Sequence, residues 1–371
     1  MSIETFGTKS DVLHAGRERV ENVQALRGIA SIMVVFYHIG LVEHRIFGSH
    51  SLIAPVTASW KSGVDLFFVI SGFVMVTIST GRFHGQSGAR KFFFRRAARI
   101  YPVYWFYLLV SIAFLLYQPD FLINTPSDWH RRLLRSFLLF PDNDLPVLAQ
   151  GWTLIHELYF YLVFALALKW PENRRMAILA LWGGLIIMCR CVPSIVSMRS
   201  PVMSVATNSL TFEFLAGCAI AWIANHGFHR FSVPALICAV LGFLIASVFD
   251  RFGTHVLLYI GPTSLLVYGA VSIETGHRYY FPRWLRYVGD FSYSLYLTHI
   301  LSASVVRSLW LCFHVPRGVA SDLAFTAASG AFCLAVGAIS YRWIEKPMLS
   351  PAYQVASRLA SLGFVKSTGS K

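Results

Sequence analysis

The sequence carries little charge for its length. Only 13% of its 371 residues are Asp, Glu, Lys or Arg, whereas 56% are hydrophobic. Soluble domains contain about 25% charged residues, so this chain has too few to cover a water-soluble fold. The composition therefore predicts an all-α polytopic membrane protein, whose apolar helices cross the bilayer.

Acidic residues are the scarcer charged type. The chain has 18 Asp and Glu against 32 Lys and Arg, which gives a formal net charge of +14. In a soluble chain this excess would suggest a nucleic-acid partner. Here most cations fall in short segments between apolar runs, where they favour retention of a loop in the cytoplasm. We therefore predict contact with membrane lipids and no nucleic-acid partner.

The sequence also lacks the cysteine pattern of a disulfide framework or a zinc site. Its six cysteines are scattered in or beside apolar runs, so we predict buried small side chains and no metal. The first 22 residues are polar and have no apolar core. We expect a cytoplasmic tail there rather than a cleaved signal peptide.

Ten apolar runs are long enough to cross about 30 Å of hydrocarbon. They cover approximately residues 25–42, 63–80, 100–117, 151–168, 176–192, 208–224, 233–249, 255–273, 287–310 and 320–343. With both termini in the cytoplasm, the inner segments hold 22 of the 32 Lys and Arg. We predict about ten transmembrane helices with both termini cytoplasmic, a membrane domain over 23–347, cytoplasmic tails at 1–22 and 348–371, and no appended soluble domain.

One predicted outer segment, residues 118–150, is long enough to fold against the membrane. Trp129, Leu133 and Phe137 recur every four residues, and three arginines lie among them. This pattern predicts an interfacial amphipathic helix. Whether it handles substrate or only connects two spans stays open at this point.

Ionisable residues inside predicted spans are costly and so indicate functional sites. His38 follows Arg27 by eleven residues, about three helical turns, so both project from one face of the first span. Asp65 opens the second span, Glu157 lies on a polar stripe in the fourth, and Glu213 lies in the sixth. The predicted topology puts the histidine and these carboxylates in the outer half, so we expect them to line one shared cavity.

The inner segment at 81–102 contains six Lys and Arg and no acidic residue. Arg96 and Arg99 lie one turn apart on a helix that continues into the third span. Paired guanidiniums suit bidentate phosphate binding, although contact with lipid head groups is an alternative. A long phosphate-bearing donor such as acyl-coenzyme A could bind here while its reactive end reaches the histidine. The residues alone thus lead to the hypothesis of transmembrane acyl transfer.

Six short motifs in order resemble the integral-membrane acyltransferase-3 family. They are LRGIASIMVVFYH, GVDLFFVISGF, RRAARIYPVYW, GWTLIHELYFY, FSYSLYLTH and WIEKP. The resemblance runs from about residue 23 to 347 and is closest to the stand-alone type, which includes bacterial exopolysaccharide-production and nodulation-factor acetyltransferases. It implies a multi-pass protein of the bacterial inner membrane that O-acylates a carbohydrate, with acetyl-CoA as donor.

The resemblance also implies catalytic roles. His38 matches the family's proposed catalytic histidine, and Glu157 and Asp65 match its acidic positions. We hypothesise that neutral His38 takes the proton of the acceptor hydroxyl, while Glu157 or Asp65 orients the ring. In a variant of this mechanism, His38 carries the acyl group as a covalent relay. The sequence does not identify the group that stabilises the oxyanion.

The donor and partners follow from the same resemblance. Arg27 matches the family's first-span arginine, and Arg96 and Arg99 match the Arg-x-x-Arg motif associated with acetyl-CoA. The implied partners are a carbohydrate acceptor, either a polysaccharide or a lipid-linked oligosaccharide, and polysaccharide-export machinery. His299 and Glu345 match weaker signatures, so their roles stay open.

The main alternative is a transporter or flippase for a lipid-linked sugar, in which intramembrane carboxylates couple proton movement. No pair of spans broken by Gly or Pro stands out in corresponding halves of the sequence, which argues against it. A polyprenol-dependent glycosyltransferase would need acidic residues on the cytoplasmic side, where the sequence is basic.

Overall fold

The computed structural model describes residues 20–48, 51–117, 128–192, 200–250, 255–314 and 318–361, and these ranges contain helices but no strand. Residues 1–19 and 362–371, which belong to the predicted tails, lie outside the described residues. We number the helices in chain order: α1 Glu21–Phe47, α2 Ile53–Thr57, α3 Gly63–Ser79, α4 Gly85–Tyr117, α5 Trp129–Leu138, α6 Gly151–Ala167, α7 Glu172–Cys191, α8 Pro201–Ala206, α9 Leu210–Asn225, α10 Ser232–Phe249, α11 His255–His277, α12 Arg283–Asp290, α13 Ser292–Cys312, α14 Val319–Ser340 and α15 Lys346–Ser361.

Each of the ten predicted apolar segments overlaps a helix, although the ninth, residues 287–310, is divided between the end of α12 and most of α13. Within the described ranges, seven helical segments are long and apolar enough to cross a membrane. Helix α6 is also apolar but has only 17 residues. The all-helical prediction is confirmed for these ranges, and the chain is a multi-pass membrane protein.

Helix α1 lies at the centre of the bundle, in contact with α3, α11, α12, α13 and α14. Two close approaches between helices depend on glycine. A Cβ added at Gly28 of α1 would overlap the carbonyl oxygen of Leu285 in α12, and one added at Gly72 of α3 would overlap that of Phe214 in α9. Small residues let helix backbones come together in membranes, where lipid offers no hydrophobic drive for association.

Buried polar groups anchor both ends of α1. At its N-terminus the Glu274 carboxylate accepts hydrogen bonds from the backbone N–H groups of Glu21 and Asn22, at 3.0 and 2.7 Å. Near its C-terminus the fully buried Glu43 accepts bonds from the Ser51 hydroxyl and from backbone N–H groups that begin α2. A carboxylate at a helix N-terminus satisfies otherwise unpaired N–H groups. These contacts fix the position of α1.

The predicted amphipathic helix is confirmed as α5. Side chains of α4 bind carbonyl oxygens of its last turn: Tyr104 Oη donates to Ser136 at 2.7 Å, and Trp105 Nε1 donates to Phe137 at 2.9 Å. The chain after α5 then turns back toward α6, because the Val147 N–H donates to the Ser136 hydroxyl at 2.9 Å. The segment that follows α5 therefore lies over one end of the bundle.

The chain continues as helix beyond the last predicted span. Residues Tyr341–Glu345 form one π-helical turn after α14, and α15 follows and packs along α4. Part of the predicted C-terminal tail is thus helical as far as Ser361. The π turn carries Glu345, which is buried and accepts a hydrogen bond from Ser294 Oγ at 2.6 Å.

Candidate active site

Three cavities follow one another through the described part of the bundle. We call them the histidine cavity, lined by His38 and His299, the central cavity, lined by Glu157, and the arginine cavity, lined by Arg82. Their volumes are about 380, 120 and 510 Å³ respectively. Each one shares lining residues with the next, so the three cavities are neighbours and form a row.

The shared residues define the two junctions in this row. Val64 and Tyr296 line both the histidine cavity and the central cavity. Arg27, Arg96 and Arg99 line both the central cavity and the arginine cavity. Helices α1, α3, α4 and α13 therefore supply the side chains that connect the two ends.

His38 of α1 lies against His299 of α13 in the histidine cavity. The two ring centroids are 4.8 Å apart, and His299 Nε2 is 3.3 Å from His38 Nδ1. His38 Nδ1 also lies 2.9 Å from the carbonyl oxygen of Val34. Since a carbonyl oxygen only accepts, this contact places the proton of the neutral ring on Nδ1. His38 Nε2 is then left as the proton acceptor.

Asp65 lines the same cavity as His38, so the structure brings these two predicted residues together. Asp65 is only 2% exposed, and its carboxyl interacts with that of the buried Glu213 from α9. Lys61 lines the cavity as well and forms an ion pair with Asp250 at 3.1 Å. Motif reading gave no role to Lys61.

Glu157 does not line the cavity that contains His38. It faces the central cavity, where the Tyr161 hydroxyl donates a hydrogen bond to it. One turn before it, Thr153 Oγ1 lies 2.7 Å from the hydroxyl of Tyr296, at the junction with the histidine cavity. Helix α6 begins beside the histidine cavity. Glu157 lies seven residues after Gln150, which places it about 10 Å further along the helix axis.

The three predicted arginines are brought together at the other junction. Arg27 Nη2 donates to Ser292 Oγ at 3.0 Å. The Arg96 guanidinium lies 5.8 Å from the ring centroids of Phe92 and Tyr161, which is the range of a cation–π contact. These contacts hold the guanidiniums at the cavity wall in a fixed arrangement.

The arginine cavity is strongly cationic. Among the described residues, its lining contains six cationic side chains and two acidic ones: Arg27, Arg82, Arg95, Arg96, Arg99, Lys346, Asp290 and Glu345. Tyr353 of α15 lines it too and bonds to Arg99. Sequence reasoning missed Tyr353, because no motif indicated that the chain after the last span would fold back on α4. This lining suits a ligand with several negative charges.

A family model described as an acyltransferase domain, of the acyltransferase-3 type, matches residues 20–342. The chain belongs to this family. The match covers every cavity-lining residue discussed above except those of the π turn and α15. Membership makes the protein an O-acyltransferase, and the site just described is its candidate active site.

Several curated proteins are similar to the chain. The exopolysaccharide production protein ExoZ of Rhizobium meliloti strain 1021 is 32% identical over 310 residues, which cover 78% of this chain and 89% of ExoZ. The peptidoglycan O-acetyltransferase OatA of Listeria monocytogenes is 24% identical over 329 residues. The O-acetyltransferase OatA of Staphylococcus aureus is 23% identical over 376 residues.

The chain spans 49% of the Listeria protein and 57% of the Staphylococcus protein, about half the length of these two relatives. No solved structure matches the chain.

Proposed function

We propose that the protein transfers an acetyl group from cytoplasmic acetyl-CoA to a hydroxyl of a cell-surface or exported carbohydrate. The observation that carries this proposal is the row of three adjacent cavities. Arg27, Arg96 and Arg99 line its cationic end and its central part, and Tyr296 leads on to the cavity of His38. A donor bound by its phosphates at one end can present its thioester at the other.

The dimensions and linings of the cavities fit the parts of acetyl-CoA. The arginine cavity is large and cationic, which suits the pyrophosphate and 3′-phosphate of the nucleotide. The central cavity is small, with apolar walls that include Phe67, Phe68 and Met75. Such a space suits the thin pantetheine arm, which carries no charge.

The histidine cavity fits a carbohydrate. Its lining combines the aromatic rings of Tyr37, Trp152 and Tyr296 with polar groups such as Gln150. Aromatic rings can cover the apolar face of a sugar while polar groups bind its hydroxyls. The names of the relatives, which concern exopolysaccharide production and peptidoglycan O-acetylation, support an acceptor of this class.

The chemistry of this arrangement is acyl transfer with a histidine base. His38 Nε2 takes the proton of the acceptor hydroxyl as its oxygen attacks the thioester carbonyl carbon. The C–S bond then breaks, and the leaving thiolate receives the proton from His38. General-base assistance of this kind contributes about 10²- to 10⁴-fold to the rate.

The proposal includes a topology of ten spans with both termini in the cytoplasm of a bacterial inner membrane. It is supported by the seven described helical segments that are long and apolar enough to cross a membrane, by the shorter apolar helix α6, and by the concentration of Lys and Arg in the segments that would then face the cytoplasm. In this topology the arginine cavity faces the cytoplasm and α5 lies at the opposite surface.

Acetyl-CoA cleavage by the purified protein tests the enzymatic part of the proposal. We expect release of free CoA, measured with a thiol reagent, and its loss by at least about 100-fold in His38→Ala. A transporter or flippase would release no CoA. Cleavage at the wild-type rate by His38→Ala would overturn the assignment of the base.

A further inference from the structure

The fully buried His299 lies where a positioning partner of His38 is needed. We infer that His299 accepts a hydrogen bond from Nδ1–H of His38 and thereby holds the ring with Nε2 as its reactive nitrogen. This inference rests on the proposed function, because it concerns the same base. It gives His299 the orienting role that the sequence motifs suggest for Glu157 or Asp65.

The backbone contacts of the two rings determine which ring nitrogen carries the proton and which accepts a hydrogen bond. His299 Nδ1 lies 2.6 Å from the carbonyl oxygen of Tyr296, so Nδ1 of His299 carries a proton and its Nε2 is an acceptor. That acceptor is 3.3 Å from His38 Nδ1, which carries a proton because of Val34. The one N–H of His38 is therefore shared between the Val34 carbonyl, at 2.9 Å, and His299 Nε2, at 3.3 Å, and both rings can be neutral.

The other ionisable side chains that line the cavity around His38 are Tyr37, Lys61, Asp65 and Tyr296. The two charged ones have partners on other helices: Lys61 pairs with Asp250, and Asp65 interacts with Glu213. The Tyr296 hydroxyl is engaged with Thr153. Among the side chains that line the cavity, these contacts leave His299 as the one placed to accept from Nδ1 of His38, beside the backbone carbonyl of Val34.

This hydrogen bond gains importance during the reaction. When His38 Nε2 takes the hydroxyl proton, the ring becomes an imidazolium whose Nδ1–H is a stronger donor, and His299 Nε2 stabilises it. A carboxylate plays this part in a serine hydrolase triad. A neutral imidazole stabilises the cation less, but it adds no charge to the buried site before the reaction begins. The proton passes on to the leaving thiolate, so His299 neither gains nor loses one.

Two polar substitutions separate the proposed contact from general packing. In His299→Asn the shorter amide can still bond to the Tyr296 carbonyl but leaves the position of Nε2 empty. In His299→Gln the amide oxygen can reach that position and restore an acceptor. We expect kcat for acetyl-CoA cleavage to fall about 10- to 100-fold in His299→Asn, the contribution of one charge-assisted hydrogen bond, and to recover at least about fivefold in His299→Gln.

The Michaelis constant (KM) for acetyl-CoA distinguishes a positioning role from a merely structural one, because a general disturbance of the fold would also change KM. Because the donor binds at the arginines, KM should stay within about twofold in both variants. Cys333→Ala is the matched control, since Cys333 Sγ donates to the backbone carbonyl of His299 at 3.6 Å rather than to its ring, and its loss should leave kcat unchanged. Equal kcat in His299→Asn and wild type, or equal losses in the Asn and Gln variants, would overturn the inference.

The outcome also distinguishes this inference from the proposed function. If His38→Ala abolishes cleavage while His299→Asn is fully active, the base assignment stands and only the positioning role fails. If His38→Ala itself is fully active, the proposed function fails together with the role of His299. Unfolding of the Asn variant would be detected by size-exclusion chromatography, and the Gln variant with its Cys333→Ala control then decides the matter.

Discussion

Arg27 and His38 lie on one helix yet line opposite ends of the row of cavities. Their separation of eleven residues corresponds to about 16 Å along the helix axis. Helix α1 therefore connects the cationic end of the row to the histidine by a single element. In the proposed function, this distance is the one that the acyl donor spans.

The arginines provide the first prediction at this scale. Arg96→Ala and Arg99→Ala should each weaken CoA binding about 10- to 100-fold, because each removes a charge-assisted contact with phosphate. Isothermal titration of the purified protein with CoA measures the affinity. Lys91→Ala is the control: this cation lies on the same helix but is exposed and lines none of the three cavities. An equally large loss of CoA affinity in Lys91→Ala would indicate a general effect of charge and would contradict a specific role for the two arginines.

Which residues meet in a cavity was only partly predictable from the sequence. Residue types, spacing and predicted topology assign His38, Asp65 and Glu157 to one half of the bilayer, about 15 Å deep. In the structure Glu157 is separated from His38 and Asp65, since it lies two turns beyond the start of α6 and faces the central cavity, which the arginines also line. The contact between His38 and His299 depends on how α1 and α13 are rotated, and no sequence pattern gives that rotation.

Individual helices were more predictable, because ten long apolar runs leave few alternatives inside a bilayer. The exceptions are elements whose formation depends on contacts rather than on hydropathy. The π turn at Tyr341–Glu345 and α15 follow the last span, and α15 forms against α4. The bonds that hold α5 come from the preceding helix α4, through residues 32 positions earlier in the chain.

Glu43 provides a prediction at the scale of these elements. Its buried carboxylate accepts bonds from the Ser51 hydroxyl and from the N–H groups of Ile53 and Ala54, so Glu43→Ala leaves several donors unpaired. We expect a loss of about 2–5 kcal/mol in the free energy of unfolding, seen as a lower melting temperature in detergent. The exposed neighbour His44, changed to alanine, is the control. An unchanged melting temperature in Glu43→Ala would contradict the anchoring role.

For the whole molecule, the central claim of the proposed function is that the donor and acceptor ends of one active site open toward different sides of a membrane. The distribution of Lys and Arg supports the arginine cavity as the cytoplasmic end. Transfer through the protein then lets an energised cytoplasmic donor modify a carbohydrate that has already left the cytoplasm. This proposed sidedness depends on the row of cavities and on no single residue.

Membrane vesicles from the host bacterium test this claim most directly, since they contain the native acceptor. With radiolabelled acetyl-CoA added outside, inside-out vesicles should incorporate label into enclosed carbohydrate, and vesicles carrying His38→Ala should not. Intact right-side-out vesicles should incorporate none until they are permeabilised. Equal labelling of intact right-side-out vesicles, or wild-type labelling with His38→Ala, would contradict the account.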